Sequence, residues 1–374
     1  MRTPNESLFI GLMSGTSLDG VDGVLASFVH NEPIRTLTTA YLPFPPELRD
    51  EFMALQSPGE NEIHREALAA NGLARHYAAC VTQLLSQAGI GPEAVTAIGA
   101  HGQTVRHRPE LGYTRQTGNA ALLAELTSID VVTDFRGRDI AAGGQGAPLV
   151  PAFHQAIFGK SDECRVVANI GGIGNISVLD RDEKVIGFDT GPGNVLMDLW
   201  ISRHQGKPYD ADGAWGASGQ VIPLLLDALL DEPFLKLPPP KSTGRDLFHA
   251  DWLAGKLGSV SHAAPADVQA TLTQFTAATL ADAIRTWAPH ASAVYVCGGG
   301  AYNSHLMRSL QEALLAHTHQ AAVRSTATLG VSPNHVEALA FAWLAHRHVE
   351  RQPGNLPSVT AAKGLRMLGA LYPA

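Results

Sequence analysis

Cysteine is scarce in this 374-residue chain: Cys80, Cys164 and Cys297 stand alone, with no Cys-x-x-Cys pair. A disulfide framework and a cysteine zinc site are therefore excluded as organising devices, and a reducing compartment is the expectation. Aromatic residues make up only 6%. Positive charge is also short, with 27 Lys and Arg against 35 Asp and Glu and a net charge of −8. Without a basic excess, nucleic acid and anionic membrane surfaces are disfavoured as partners. No apolar run reaches the ~18–20 residues of a membrane span. The first residues show no basic region followed by a long apolar core, so no secretory signal is visible and a cytoplasmic location is expected.

The standard nucleotide and metal signatures are missing too. There is no GxxxxGK[ST] loop, no GxGxxG fingerprint, no His-Arg-Asp with Asp-Phe-Gly pair and no HExxH, and the 16 histidines show no metal-ligand spacing. What is abundant is apolar material, 45% of residues, and glycine, 37 residues. That composition fits an α/β protein with packed cores and backbone-lined ligand turns.

The chain opens as strand, turn and strand: Leu8–Leu12, then Ser14–Gly20, then Val21–Phe28. A helix is expected at about 60–87 from Ile63, Ala67, Ala74, Ala78, Val81 and Leu85. Short strands at Val95–Ile98 and Ile129–Thr133 end in His101-Gly102-Gln103-Thr104 and Asp134-Phe135-Arg136-Gly137-Arg138-Asp139. A small-residue stretch, 140–150, reads as a hinge or boundary, with Ala141–Ala147 as its core. The strand–turn–strand plan then recurs at 165–179 around Gly171-Gly172, with a third strand from Lys184 to Phe188 that ends in Asp189. A helix should begin near Asn194, another spans Asp267–Trp287, and Ala293–Cys297 is a strand running into Gly298-Gly299-Gly300. Ser332-Pro333 reads as the N-cap and first residue of a last core helix through Val336–Ala345. The expected division is residues 1–140 and 141–349, with the segment at about 350–374 a candidate to return to the first domain.

Three glycine turns follow apolar strands. Ser14, Gly15, Thr16, Ser17, Leu18, Asp19 and Gly20, with Val21 and Asp22 behind them, offer backbone N–H groups, hydroxyls and carboxylates in one hairpin. Such a turn can wrap phosphate oxygens while Asp19 or Asp22 holds Mg²⁺ through water. Asn169, Gly171 and Gly172 make a second turn of this kind. Gly298, Gly299 and Gly300 at a strand end would let adenine or phosphate approach the backbone. Any one of these could be a plain β-turn; three in two similarly planned halves weigh against that plainer reading.

The plan resembles the sugar kinase, actin and heat-shock chaperone superfamily. The segments Met13–Asp22, His101–Thr104, Asp134–Arg136, Gly143–Pro151, Asn169–Gly172, Asp189–Asn194, Lys241–Arg245, Glu337–Ala342 and Asn355–Thr360, in that order, resemble the anhydro-N-acetylmuramic acid kinase family. That resemblance implies an α/β fold of two ribonuclease-H-like, actin-like ATPase domains flanking a nucleotide and sugar cleft. It implies that ATP and water convert 1,6-anhydro-N-acetylmuramic acid to N-acetylmuramic acid 6-phosphate and ADP in peptidoglycan recycling. It also implies Mg²⁺ and a homodimer. An ordinary hexose kinase of the same superfamily and a non-enzymatic ATP-binding clamp are the alternatives.

The anhydro bridge leaves no free 6-hydroxyl, so the reaction needs a carboxylate that activates water near C1. Asp189, at a strand end beside a glycine turn, is the candidate base; the plainer reading is a cap on the next helix. Glu337, on a helix with apolar neighbours and placed in its second turn, is the candidate to orient the water or a sugar hydroxyl; the plainer reading is an exposed helix residue. Arg136 and Arg138 could pair with the lactyl carboxylate or phosphate, with Arg138 slightly favoured, or make surface ion pairs with Asp134 or Asp139. His101 and Gln103, polar groups at a strand end, suit sugar hydroxyls; the plainer reading of a lone histidine such as His101 is a structural one. Lys241–Arg245 matches the family pattern without a physical role of its own.

Overall fold

The computed structural model of the chain describes residues 6–15, 17–180, 185–244, 246–260 and 262–374, with the side chain of Ser259 set aside. Contacts divide these into two units. One holds the described residues up to Ile157 together with His335–Ala374, and the other holds Phe158–Asn334.

In the first unit, strand β1 (Glu6–Met13) is an apolar run buried on both faces, which suits a central strand. It turns into antiparallel β2 (Gly20–Val29), which pairs with antiparallel β3 (Arg35–Pro43). On its other side β1 pairs in parallel with β4 (Ala97–Ala100). Strands β5 (Gln103–Arg108) and β6 (Tyr113–Thr117) make a separate hairpin. Strand β7 (Val131–Thr133) runs parallel to β4. In the second unit, β8 (Arg165–Ile170), β9 (Ile173–Leu179) and β10 (Ile186–Pro192) form the same antiparallel run, and β11 (Ala293–Cys297) and β12 (Ala322–Ser325) add in parallel beside β8. Strand β13 (Ala370–Tyr372) closes the edge of the first sheet on β7.

The two sheet orders are β13-β7-β4-β1-β2-β3 and β10-β9-β8-β11-β12. With β13 and the β5–β6 hairpin set aside, both read third, second, first, fourth, fifth. This is the ribonuclease-H-like order, built twice, and the fold class is α/β with a mixed sheet in each unit.

Two helices sandwich the first sheet. Helix Glu62–Ala88 buries Leu73, Ala74, Tyr77, Cys80, Val81 and Leu84. The expected stripe had the helix right and the face wrong at its start, because Ile63 is 87% exposed. Helix Val336–Val349 lies on the opposite face and is apolar nearly all round. Its backbone comes so close to the sheet that a Cβ on Gly11 would lie 1.8 Å from the Ala338 carbonyl oxygen, and one on Gly99 would lie 2.0 Å from that of Phe341. This packing corrects the expected division at 141–349, because the helix belongs to the first unit.

The expected hinge is corrected in the same way. Residues 141–147 are pinned inside the first unit by Gly144 N–H to the Asp139 carbonyl (2.9 Å), Gln145 N–H to the Thr360 carbonyl (2.7 Å) and Lys363 N–H to the Ala142 carbonyl (2.9 Å). The chain passes between units at 157/158 and 334/335 instead. Pro333–His335 forms a short 3₁₀ turn, so the last helix begins at Val336 and Ser332-Pro333 does not cap it.

The second core gathers on helix Pro265–Trp287, where Val268, Leu272, Phe275, Leu280 and Ile284 are buried and Trp287 stays at the surface. The expected strand start at Lys184 lies outside the described residues. No helix among the described residues is long and apolar enough to cross a membrane.

Candidate active site

The β1–β2 turn is shaped from beneath. Ser14 is fully buried. Its Oγ donates to the Gly102 carbonyl at 3.0 Å and lies 2.9 Å from the Tyr77 hydroxyl. Leu18 takes φ +56° and puts its side chain into the core, and Val21 is a core residue of β2. A Cβ on Gly20 would lie 2.4 Å from the Leu42 carbonyl oxygen of β3. Expected as ligand groups, these four residues spend their side chains, or their lack of one, on holding the turn. Gly15, Ser17 and Asp19 are the turn residues left facing outward. A Cβ on Gly15 meets nothing closer than Ser17 Oγ at 3.5 Å, so nothing inside the protein demands glycine there. Ser17 Oγ donates to Asp19 at 2.6 Å. Thr16 lies outside the described residues.

Behind the turn is a carboxylate cluster. Asp22 sits on β2 between Met13 of β1 and Tyr41 of β3. Burial, then the charges of Asp19 and Glu337, push its carboxyl up to about 7. Burial also raises the Glu337 carboxyl, with Arg136 opposing and Asp19 adding. Glu337 therefore lies in the first turn of its helix, not the second as expected, and it is not an exposed surface group. Tyr41, which sequence reasoning missed, has its phenol raised by burial and by Asp19 and Asp22. Nothing in the sequence marked it, because only the register of β3 on β2 sets it opposite Asp22.

His101 and Arg136 form a fixed pair. Burial, with Arg136 adding, pushes the His101 ring down to about 3, so it is neutral. Its Nδ1 lies 3.2 Å from the Ser14 carbonyl and its Nε2 lies 3.0 Å from Arg136 Nη2. A carbonyl can only accept, so the proton sits on Nδ1 and the guanidinium donates to Nε2. Both ring nitrogens are used, which corrects the expectation that His101 meets sugar hydroxyls. Arg136 Nη1 donates to the Gly146 carbonyl at 2.8 Å, and Nε is buried with no partner among the described residues. Burial lowers the guanidinium to about 10, opposed by Glu337 and Asp139. Gln103 donates to the Gly15 carbonyl at 3.1 Å, and its Oε1 is buried with no partner among the described residues. A free donor on Arg136 and a free acceptor on Gln103 are what a polar ligand would complete. Arg138, slightly favoured from sequence, is exposed, and the described residues give it no ion pair. Neither Asp134 nor Asp139 takes it: Asp134 accepts the Gly137 N–H, and Asp139 is buried in a network of its own.

In the second unit, Asp189 lies on β10 opposite Asn175, where the register slips before Gly191. A slip of this kind re-aims a side chain out of the sheet. Asp189 Oδ2 accepts from Ser242 Oγ at 2.8 Å and from the Thr243 N–H at 2.9 Å. Oδ1 has no hydrogen bond among the described residues. The following helix starts at Val195 after Asn194, so Asp189 does not cap it. Burial raises the Asp189 carboxyl, opposed by Thr243, Ser242 and Lys241 in that order.

The Lys241 segment thus acquires a role that sequence reasoning did not supply. Lys241 Nζ donates to the Leu235 carbonyl at 2.9 Å and lies 4.8 Å from the Phe234 ring centre, and its own carbonyl accepts the Asp189 N–H at 3.2 Å. The run of three prolines before it was the available signal, since a stiff loop delivers donors to a fixed place. Arg245 lies outside the described residues.

The second-unit glycines divide as those of the first turn do. A Cβ would meet nothing closer than 3.9 Å at Gly171 or Gly172, and nothing closer than 3.5 Å at Gly299. Gly298 has φ +78° and no room beside Asn169 Oδ1 (2.6 Å), and a Cβ on Gly300 would lie 2.4 Å from Ile170. Gly298 and Gly300 are therefore packing residues, with Asn169 half-buried beside Gly298, while Gly171, Gly172 and Gly299 leave open backbone.

A ribonuclease-H-like sheet repeated in two units, each with open glycine backbone after its first strand, is the architecture of the two-domain sugar-kinase class. Comparison with known sequences narrows this further. The family model described as anhydro-N-acetylmuramic acid kinase matches residues 7–374. An anhydro-N-acetylmuramic acid kinase of Burkholderia pseudomallei (strain K96243) is 56% identical over 381 residues, covering 99% of this chain and 98% of that protein. One from Paraburkholderia xenovorans (strain LB400) is 57% identical over 373 residues, covering 100% and 99%. The chain belongs to the anhydro-N-acetylmuramic acid kinase family.

Proposed function

We propose that this protein uses ATP and water to convert 1,6-anhydro-N-acetylmuramic acid to N-acetylmuramic acid 6-phosphate and ADP, in the cytoplasm, as a step of peptidoglycan recycling. Asp189 is the base. It takes a proton from water as the water oxygen adds to C1 on the face opposite the bridge. The C1–O6 bond breaks, and O6 accepts the γ-phosphoryl group in line.

The observation that carries this reading is the state of the Asp189 carboxylate. One oxygen is held by Ser242 and Thr243, the other has no hydrogen bond among the described residues, and burial raises the group above an ordinary aspartate. A held, partly desolvated carboxylate with one free oxygen is suited to taking a proton from water. The donors Thr243 and Ser242 oppose that rise, because they favour the ionised form.

From the first unit, Arg136 binds the lactyl carboxylate, with Arg138 as a second cation at the surface. Gln103 Oε1 accepts from a sugar donor. Glu337 orients the water or a hydroxyl. Open backbone at Gly15, Gly171 and Gly172 receives phosphate, and open backbone at Gly299 receives the adenosine. Mg²⁺ fits Asp19 and Asp22: the charges of Asp19 and Glu337 raise the Asp22 carboxyl and that of Asp19 raises the Glu337 carboxyl, a repulsion that a cation relieves. Among the described residues no three His, Cys, Asp or Glu groups could hold a metal together, so the ion would keep water between itself and the protein. When bound it neutralises phosphate charge.

The test is Asp189→Asn, which keeps the shape and removes the base. It should abolish ADP formation with the anhydro sugar while nucleotide still binds. Sugar-dependent turnover near the wild-type rate would remove Asp189 from this role. Turnover of the wild-type protein with unbridged sugars, and none with the anhydro sugar, would overturn the assigned substrate.

A further inference from the structure

Asp139 is fully buried, yet it is a carboxylate that the reaction above does not use. Among the described residues, every hydrogen bond to its side chain comes from the first unit. Oδ1 accepts from Asn355 Nδ2 at 2.7 Å and Thr360 Oγ1 at 2.8 Å, and Oδ2 accepts from the Gly146 N–H at 2.8 Å. Three sequence segments that the reaction left unexplained meet here: the one after Asp134-Phe135-Arg136, the glycine-rich one at 143–151, and Asn355–Thr360 near the C-terminus.

The geometry continues past the carboxylate. The peptide unit that ends in the Gly146 carbonyl follows directly on the N–H held by Asp139, and that carbonyl accepts Arg136 Nη1 at 2.8 Å. Arg136 Nη2 in turn donates to His101, whose other nitrogen donates to the Ser14 carbonyl in the β1–β2 turn. Gly146 has φ +67°, and a Cβ there would lie 2.8 Å from Ile140. A Cβ on Gly144 would lie 2.2 Å from Asp139 Oδ2. The loop therefore closes over the carboxylate with no slack. Asn355 and Thr360 fix the other oxygen, and Asn355 Oδ1 also accepts the Arg366 N–H at 2.7 Å.

We propose that Asp139 is a positioning residue for Arg136: it fixes the Gly146 carbonyl that aims the guanidinium, and the C-terminal segment locks Asp139 through Asn355 and Thr360. The negative charge of Asp139 has a second effect, since with Glu337 it favours the charged form of the buried guanidinium. This inference rests on the reading of Arg136 as a sugar-binding group.

The experiment measures the dissociation constants of the anhydro sugar and of an ATP analogue, each alone, for Asp139→Asn, Thr360→Val, Thr360→Ser and Arg136→Lys. Asp139→Asn loses a charge-assisted hydrogen bond, so it should weaken sugar binding about tenfold or more and leave nucleotide binding at the wild-type value. Thr360→Val should act in the same direction by less, and Thr360→Ser, which keeps the hydroxyl, should restore affinity. In an Arg136→Lys background, where one ammonium cannot hold both Gly146 and His101, Asp139→Asn should add little. An equal fold-loss in both backgrounds, or sugar and nucleotide binding falling together, would reduce Asp139 to a purely structural group and overturn the proposal. If Asp139→Asn does not fold, the Thr360 pair decides: equal sugar affinity in the Val and Ser variants overturns it. Wild-type sugar affinity in Arg136→Lys together with a loss in Asp139→Asn would overturn the proposal through Arg136 itself, whereas a loss in Arg136→Lys with none in Asp139→Asn would overturn it for Asp139 alone.

Discussion

Ser242→Ala is the mildest perturbation that reaches the candidate base. The hydroxyl donates to Asp189 Oδ2 at 2.8 Å, the Thr243 N–H remains at 2.9 Å, and Oδ1 is untouched. Donors to a carboxylate favour its ionised form, so removing one raises the pKa of Asp189 further above that of an ordinary aspartate. Ser242 is solvent-exposed, which places the lost bond at the weak end of the range, about 0.5–1.5 kcal/mol, or about half a pH unit to one. A base works deprotonated, so activity lies on the alkaline side of its pKa and falls as pH drops through it. The acidic limb of kcat/KM for the anhydro sugar should therefore move up by that amount, with the plateau above it little changed. The assay is ADP release coupled to NADH oxidation, followed across pH at constant ionic strength. An unmoved limb, or one that moves to lower pH, would refute the assignment of Asp189 as the titrating base.

Four further outcomes follow from the glycine turns and the carboxylate cluster. Gly15→Val and Gly299→Val should fold, because a Cβ at either site meets nothing closer than 3.5 Å, yet both should weaken nucleotide binding measured by calorimetry; Gly300→Ala, with Ile170 at 2.4 Å, should instead lower thermal stability. Asp22→Asn should raise the Tm of the metal-free protein most at pH 8, less at pH 5 and little at pH 3. The sign follows because a carboxyl raised from 3.8 to about 7 by folding opposes folding by an amount that grows as pH rises from 3.8 and is complete above about 7. Added Mg²⁺ should stabilise the wild type at pH 8 and lose most of that effect in the variant, as read by scanning calorimetry.

Much of the site was legible because it is written in short contiguous segments. The β1–β2 turn, the Gly171-Gly172 turn and Asp189 at the end of a strand each announce themselves by glycine or a carboxylate after an apolar run. What escaped depends on contacts between segments far apart in sequence. Nothing near Asp139 shows that Asn355 and Thr360 will close on it, and nothing in Lys241-Ser242-Thr243 shows that Asp189 is the group it holds. Ser14 and Leu18 look like ligand groups because they sit in a polar turn, yet both point into the core. The edge strand β3 passed unnoticed because Arg35–Pro43 is threonine-rich and largely exposed, without an apolar run to mark it. The expected domain boundary failed for a physical reason. Glycine and alanine at 141–147 look like slack, but here they allow a tight loop over a buried carboxylate, and the glycines of β1 and β4 draw helix Val336–Val349 onto the first sheet.

The central claim, that water opens the bridge at C1 while O6 takes the phosphoryl group, is tested most directly by running the reaction in ¹⁸O-water and reading the first-formed product. The account predicts one label at the C1 hydroxyl, none in the 6-phosphate, and a single α anomer before mutarotation, read early because ring opening also exchanges that oxygen. Label in the transferred phosphate would mean that water attacked phosphorus, and an immediate mixture of anomers would mean a free oxocarbenium ion; either result contradicts the role given to Asp189.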